Sequence, residues 1–166
     1  MKTTTEQYTE LVLSTKDTIY RLAKSITGSC VEAEDIVQDI YEKVWRARDA
    51  VLNSRYPRAY LCRMTRNLAI DRLRRRRDSV EISDRVVEDG NRLAVIGDMA
   101  EYTRQLIATL PETQRMVIHL RDVEGYEIEE IAEVLECESA NVRVYLSRAR
   151  KYVREELLKA INYGTA

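Results

Sequence analysis

The chain has no phenylalanine, two prolines, five glycines, three cysteines and one histidine in 166 residues. Each scarcity excludes something. Few prolines and glycines leave Leu, Ala, Arg, Glu and Val to favour helix over loop-rich or turn-rich folds. Cys30, Cys62 and Cys137 are odd in number, far apart and without a C-x-x-C pair. That argues against a disulfide framework or a structural zinc site, and for reduced thiols. The single histidine, His119, has Met116 three residues earlier, so the Glu-x-x-His pairs of a carboxylate metal bundle are missing. His119 reads as a structural helix residue. Neither a Gly-rich phosphate loop nor a nucleophile–base set is present, so neither an enzyme nor a bound cofactor is expected. No apolar run approaches the ~20 residues of a membrane span. The N-terminal MKTTTEQYTELVLST lacks an apolar signal core, so a cytoplasmic protein is expected.

What remains is ample for a core: 45% of residues are hydrophobic and 33% charged. The length suits one medium domain or two small ones. Helical spacing places Tyr8, Leu11, Val12, Ile19, Leu22, Ala23 and Ile26 on one face of a helix over Glu6–Ile26, stopped at Thr27-Gly28. Ser29 and Glu32 form an S-x-x-E capping box that opens a second helix. Its inner face carries Ile36, Val37, Ile40, Tyr41, Val44 and Trp45. A loop over Asp49–Tyr56 precedes Pro57, which suits the first turn of a third helix running to about Arg77. Asp78–Glu101 holds seven acids and two arginines, a local −5, without helical period. It reads as a tether. Beyond it, helices are expected over Thr103–Leu110 and from Pro111 to about Arg121, with Gly125 breaking the pattern. A short helix over EIEEIAEVLE, a turn at Cys137–Ser139 and a helix from Ala140 to about Ile161 have the layout of a helix-turn-helix. The expectation is an all-α chain of two small helical domains, residues 1–78 and 101–166, joined by an acidic linker over 79–100.

Positive charge is concentrated. The whole chain has a net charge of −1, yet Arg55–Arg77 holds nine arginines and one acid, Asp71. On a helical wheel Leu61, Thr65 and Leu68, flanked by Met64, face inward. Arg63, Arg66, Ile70, Arg74 and Arg77 line the opposite side, with Asn67 beside them. At ~1.5 Å per residue this ridge is about 21 Å long, or about six nucleotides of a B-form strand. Solvated helix faces usually mix signs, so a polyanion partner is favoured. A lipid surface is the alternative, lessened because the apolar face is needed for packing. In the last helix Val142, Leu146, Ala149 and Val153 point inward. Ala140, Asn141, Arg143, Val144, Ser147, Arg148 and Lys151 point outward. Arginine reads guanine, asparagine reads adenine, and small apolar groups meet the thymine methyl. Arg148, Arg150, Lys151 and Arg154 suit phosphates. Taken alone, the pattern equally fits an ordinary helical hairpin with a charged face; the arginine helix tips the balance to DNA.

Four blocks together resemble an extracytoplasmic-function (ECF) sigma factor of the sigma-70 family of bacterial RNA polymerase. They are AEDIVQDIYEKVWR (Ala33–Arg46), PRAYLCRMTRNLAIDRLRRRR (Pro57–Arg77), LPETQRMVIHLRDVEGYEIEEIAEVL (Leu110–Leu135) and VRVYLSRARK (Val142–Lys151). The last two are shared in outline with response-regulator helix-turn-helix domains; the first two separate sigma factors from those. The resemblance implies that the first domain is similar to sigma domain two, which binds the β′ clamp helices and melts the minus-ten element. It puts the polymerase contact on Asp35, Gln38, Asp39 and Glu42. It puts minus-ten recognition on the Arg48–Tyr56 loop and the arginine helix: Tyr56, Tyr60, Arg63, Arg66, Asn67, Arg74 and Arg77. The second domain is similar to sigma domain four, which docks on the β flap tip. There Ser139, Ala140, Asn141, Arg143, Val144, Ser147, Arg148 and Lys151 would read the minus-thirty-five element. The linker would lie toward the RNA exit path, an anti-sigma factor would control activity, and the free protein would be a monomer. Many relatives carry tryptophan where Tyr60 stands, glycine at Glu136, serine or threonine at Glu138 and threonine at Asn141. Ser139 is then expected to cap the last helix. A DNA-binding regulator that acts without polymerase, dimeric on a two-fold site, is the competing reading.

Overall fold

The first helix begins earlier than Glu6 because Thr3 and Glu6 cap each other. The Thr3 N–H donates to Glu6 Oε2 at 2.7 Å and the Glu6 N–H to Thr3 Oγ1 at 3.2 Å. The computed structural model describes residues 1–79 and 99–164. The segment expected as an acidic linker lies, apart from its two ends, outside the described residues. Among the described residues there are helices and turns and no strand.

Helix α1 spans Thr4–Thr27 and ends at Gly28, whose φ of 71° supplies the left-handed cap and whose N–H bonds Lys24 O. Helix α2 spans Cys30–Arg46. Ser29 Oγ accepts the Glu32 N–H at 3.2 Å, which is half of the expected capping box. The other half is not formed, because Glu32 Oε1 instead accepts from Arg76 at 3.1 Å. The expected loop over Asp49–Tyr56 starts as a short helix, α3, Arg48–Leu52, which seats Val51 fully buried. Helix α4 spans Pro57–Ser79. Helices α1, α2 and α4 pack around Ile19, Leu22, Ile36, Ile40, Val44 and Leu61, all fully buried. Trp45 departs from the expected inner face. It is 41% exposed, with Tyr8 edge-on at 4.9 Å and Arg48 over its ring at 4.6 Å. Its ring is held at the surface by these two neighbours, which spare it the core.

The second unit comprises α5 (Met99–Thr109), α6 (Glu112–Ile118), a five-residue π-helical turn (His119–Val123), α7 (Ile128–Leu135) and α8 (Ser139–Gly164). Val117, Leu120, Ile131, Val134, Val142 and Ala149 are its fully buried centre. The π turn and Gly125, at φ 73°, swing Tyr126 away from this centre. Its ring enters the space beside α4, where it is 2% exposed. The two units therefore share one continuous apolar core.

Candidate nucleic-acid interface

The last helix presents the surface the pattern required. Val142, Leu146, Ala149 and Val153 are buried against α6 and α7. Ala140, Asn141, Arg143, Val144, Ser147, Arg148 and Lys151 are all exposed. Ser139 is half-buried, and it is not the cap: α8 begins with it, and the Glu138 carbonyl accepts from Asn141 and Val142 at 3.0 and 3.3 Å. The turn before it is tight. Glu136 sits at φ 53°, ψ 45°, the conformation glycine adopts without cost. The reading face carries only loose internal ion pairs, Arg143 to Glu129 at 3.8 Å and Lys151 to Glu155 at 3.9 Å, all at solvent-exposed side chains. Arg150 is committed elsewhere, held by Asp122 through two hydrogen bonds of 2.5 and 3.0 Å.

The arginines of α4 divide into three groups. Arg72 and Arg76 are structural: Arg72 pairs with Asp39, and Arg76 donates to Glu32 and to the Thr27 carbonyl. Arg58, Arg63 and Arg66 lie against the second unit. Arg58 donates to Glu130 at 3.1 Å and covers the Tyr126 ring at 4.5 Å. Arg63 is 3.4 Å from Glu133 and stacks on Tyr60 at 5.0 Å. Arg66 is half-buried, its Nε without a hydrogen-bond partner. Arg74, Arg75 and Arg77 are exposed with Asn67, and Arg74 has Asp71, at 3.7 Å, beside it. The ridge is thus open along its second half and covered along its first. Tyr56 and Tyr60 are half-buried, with Arg55 over the Tyr56 ring at 5.3 Å. On α2, Asp35, Gln38 and Glu42 are exposed, Glu42 pairing with Arg46 at 2.5 Å; Asp39 is half-buried through its pairing with Arg72.

Between the units, the Glu124 side chain is 8% exposed and accepts from Thr18 at 2.8 Å and from Arg21 at 2.7 and 3.0 Å. Burial alone would raise its carboxyl; the Arg21 guanidinium and Thr18 hydroxyl outweigh that and hold it below the ordinary value. Burial pushes the neighbouring His119 down. The Cys62 thiol contacts the Tyr126 hydroxyl at 3.4 Å and is pushed up to about 12, chiefly by its burial. Cys30, Cys62 and Cys137 are free thiols. None of Glu124, Tyr126 and Glu130 stood out in the sequence. The available signal was the density of acid after Gly125: six glutamates in the twelve residues Glu127–Glu138.

Residues 11–79 match the family model for sigma-70 region 2, and residues 100–153 the model for sigma-70 region 4. The ECF RNA polymerase sigma-E factor of Escherichia coli is 31% identical over 74% of this chain and 72% of its own length. The chain belongs to the ECF sigma factors of RNA polymerase. It directs promoter-specific transcription, with α1–α4 forming its region 2 and α5–α8 its region 4. The ECF RNA polymerase sigma factor SigW of Bacillus subtilis is 26% identical over 92% of this sigma factor and 89% of its own length. The sigma factor RpoE of Bartonella quintana, solved in complex with the anti-sigma factor NepR, superposes with a TM-score of 0.68. The match is 26% identical and covers 91% of this chain and 95% of that one. No described helix is long and apolar enough to cross a membrane.

Proposed function

We propose that this sigma factor divides promoter recognition between α4 and α8, with residues 1–78 and 101–166 as its working units and 79–100 as their connection. The carrying observation is the face of α8: seven of its eight assigned residues are exposed while the intervening Val142, Leu146 and Ala149 are buried. Asn141, Arg143 and Val144 meet base edges of the minus-thirty-five duplex in the major groove; Arg148 and Lys151 hold its phosphates. Tyr56 and Tyr60 stack on unpaired minus-ten bases, and Arg63, Arg66, Arg74 and Arg77 follow the backbone. The exposed acids of α2, Asp35 and Glu42, with Gln38, dock on the β′ clamp helices, and the second unit on the β flap tip. The free protein is a cytoplasmic monomer that acts by binding and contributes no catalytic group. An anti-sigma factor, as with the Bartonella relative, would act by occupying these surfaces.

Run-off transcription with core polymerase tests the assignment. Arg143→Ala or Asn141→Ala is expected to relax preference at one or two upstream positions, by about 1–3 kcal/mol per lost bidentate contact. Lys151→Ala is expected to weaken all promoters about equally. The same uniform loss from all three would overturn the reading face.

A further inference from the structure

Arg143, Arg148 and Lys151, the cations of the α8 reading face, differ in the acids around them. Arg148 has no acidic residue three or four positions away on its helix, where Val144, Tyr145, Lys151 and Tyr152 stand. Lys151 has Glu155, one turn on, at 3.9 Å. Arg143 has Ser139, Ala140, Leu146 and Ser147 at those positions, so its own helix offers no carboxylate there. Its acid comes from the other helix of the motif: Glu129 Oε1, in the first turn of α7, lies 3.8 Å from Arg143 Nη2. That separation is within reach of charge attraction and beyond an N–H···O hydrogen bond. Arg143 is therefore drawn toward Glu129 while its donors stay free. Arg150 shows the contrast, since Asp122 takes two of its N–H groups at 2.5 and 3.0 Å.

We propose that Glu129 is a positioning residue that directs Arg143 to guanine rather than to phosphate, and so sets the preference for a G·C pair at one position of the minus-thirty-five element. The inference rests on the reading of α8 as the base-reading helix, with Arg143 among its readers. Two parts of the fold hold the placement. Ile131 and Val134 of α7 and Val142 of α8 are fully buried, so the helices do not slide past one another without breaking that core. The left-handed Glu136 and the Cys137 N–H bond to the Ala132 carbonyl at 3.1 Å fix the turn between them. The two side chains themselves are 61% and 53% exposed, open to a groove. Electrostatics supplies the selectivity. A phosphate approaching the Arg143 guanidinium would bring a second anion beside Glu129 and be repelled. The guanine edge presents O6 and N7, uncharged acceptors matched to the guanidinium fork, and Glu129 does not oppose it. An arginine without a nearby acid swings freely to phosphate, which carries no sequence information. Glu129 thus gives up some total affinity for a choice of base. Its place in the first turn of α7 also suits the helix dipole, a role indifferent to DNA sequence.

The test uses the full chain with core polymerase and a promoter library randomised over the upstream element, read by sequencing the run-off transcripts. Glu129→Gln, Glu129→Asp, Arg143→Ala and the double variant Glu129→Gln/Arg143→Ala are compared with wild type at about 0.1 M salt. The position read by Arg143 is the one at which Arg143→Ala loses its preference for guanine. There, Glu129→Gln is expected to lower the guanine preference by about 3–10-fold, while raising binding to promoters of every upstream sequence by about 2–5-fold. Its salt dependence should steepen by about one phosphate contact, as Arg143 turns to the backbone. Preferences at other positions should hold within about twofold. Glu129→Asp, which keeps the charge, should retain most of the guanine preference. In the Arg143→Ala background, Glu129→Gln should change base preference no further. An unchanged guanine preference in Glu129→Gln overturns the positioning role. So does a loss spread evenly over the element, a loss that persists when Arg143 is already alanine, or a Glu129→Asp variant no better than Glu129→Gln. If Arg143→Ala itself leaves every preference intact, the base-reading assignment of Arg143 falls, and this inference with it.

Discussion

Glu136 holds a left-handed backbone conformation without being glycine. Its Cβ crowds the adjacent peptide, at a cost of about 1 kcal/mol. The turn nonetheless forms because the Cys137 N–H reaches the Ala132 carbonyl at 3.1 Å and the burial of Val134 and Val142 fixes both ends. Glu136→Gly is expected to raise stability by up to about 0.5 kcal/mol, the relief of strain less the added freedom of the unfolded chain. Urea unfolding at fixed pH would measure it. An unchanged or lowered midpoint would show that the side chain, not the backbone, sets the turn. Relatives with glycine at this position, as the family resemblance implies, avoid this strain.

At the scale of elements, α4 serves two neighbours at once. Its inner face, Leu61 and Thr65, packs into the bundle with α1 and α2; Cys62 meets Tyr126 from the second unit. The wheel located the first face from Leu61, Thr65 and Leu68. It did not locate the second, because a face made of Cys62, Arg66 and Ala69 is small and polar and has no apolar signature. The same dual service separates two kinds of arginine. Arg72→Ala removes the partner of Asp39 and is expected to lower stability by up to about 1 kcal/mol, since the pair is partly exposed. Arg74→Ala touches only Asp71. It is expected to leave stability alone, to lower open-complex formation with core polymerase, and to flatten its salt dependence by about one phosphate contact. A fluorescent base in the minus-ten region, read at several salt concentrations, distinguishes the two variants. Equal salt slopes for wild type and Arg74→Ala would remove this arginine from the DNA contact.

For the whole molecule, the contacts between the units make their packing depend on pH. Glu124 has a carboxyl held below its ordinary value of 4.5 where the units pack together. Its contribution is therefore fully present above about 4.5 and is lost as pH falls through the lower, folded-state value. His119 is likewise depressed from 6.5 by burial. Below about 6.5 a more exposed histidine binds more protons than the buried one, so acid weakens the packing there as well. Scattering from the full chain should show a constant radius from pH 8 to pH 7, with expansion only on acidification. Glu124→Gln should be more open at neutral pH and should flatten the acid-most part of the curve. Expansion towards alkaline pH would contradict the sign.

The sequence by itself determined what is local. Caps and breakers such as Ser29, Gly28, Pro57 and Gly125 placed the helices to within a few residues. The 3.6-residue period of Val142, Leu146, Ala149 and Val153 fixed which side of α8 faces water, because burying those four leaves Asn141, Arg143 and Ser147 outside. Charge density singled out α4, and the four quoted blocks carried the family. The tertiary structure decided everything that depends on contacts between residues distant in the chain. It turned Trp45 outward, formed α3 around buried Val51, committed Arg72 and Arg76 to Asp39 and Glu32, and laid the glutamates of α7 over Arg58 and Arg63. Periodicity reports how a helix divides its own faces. It carries no information on which neighbour will cover a polar face, since ion pairs such as Arg58–Glu130, 72 residues apart, form only once the packing of the apolar core has brought their helices together.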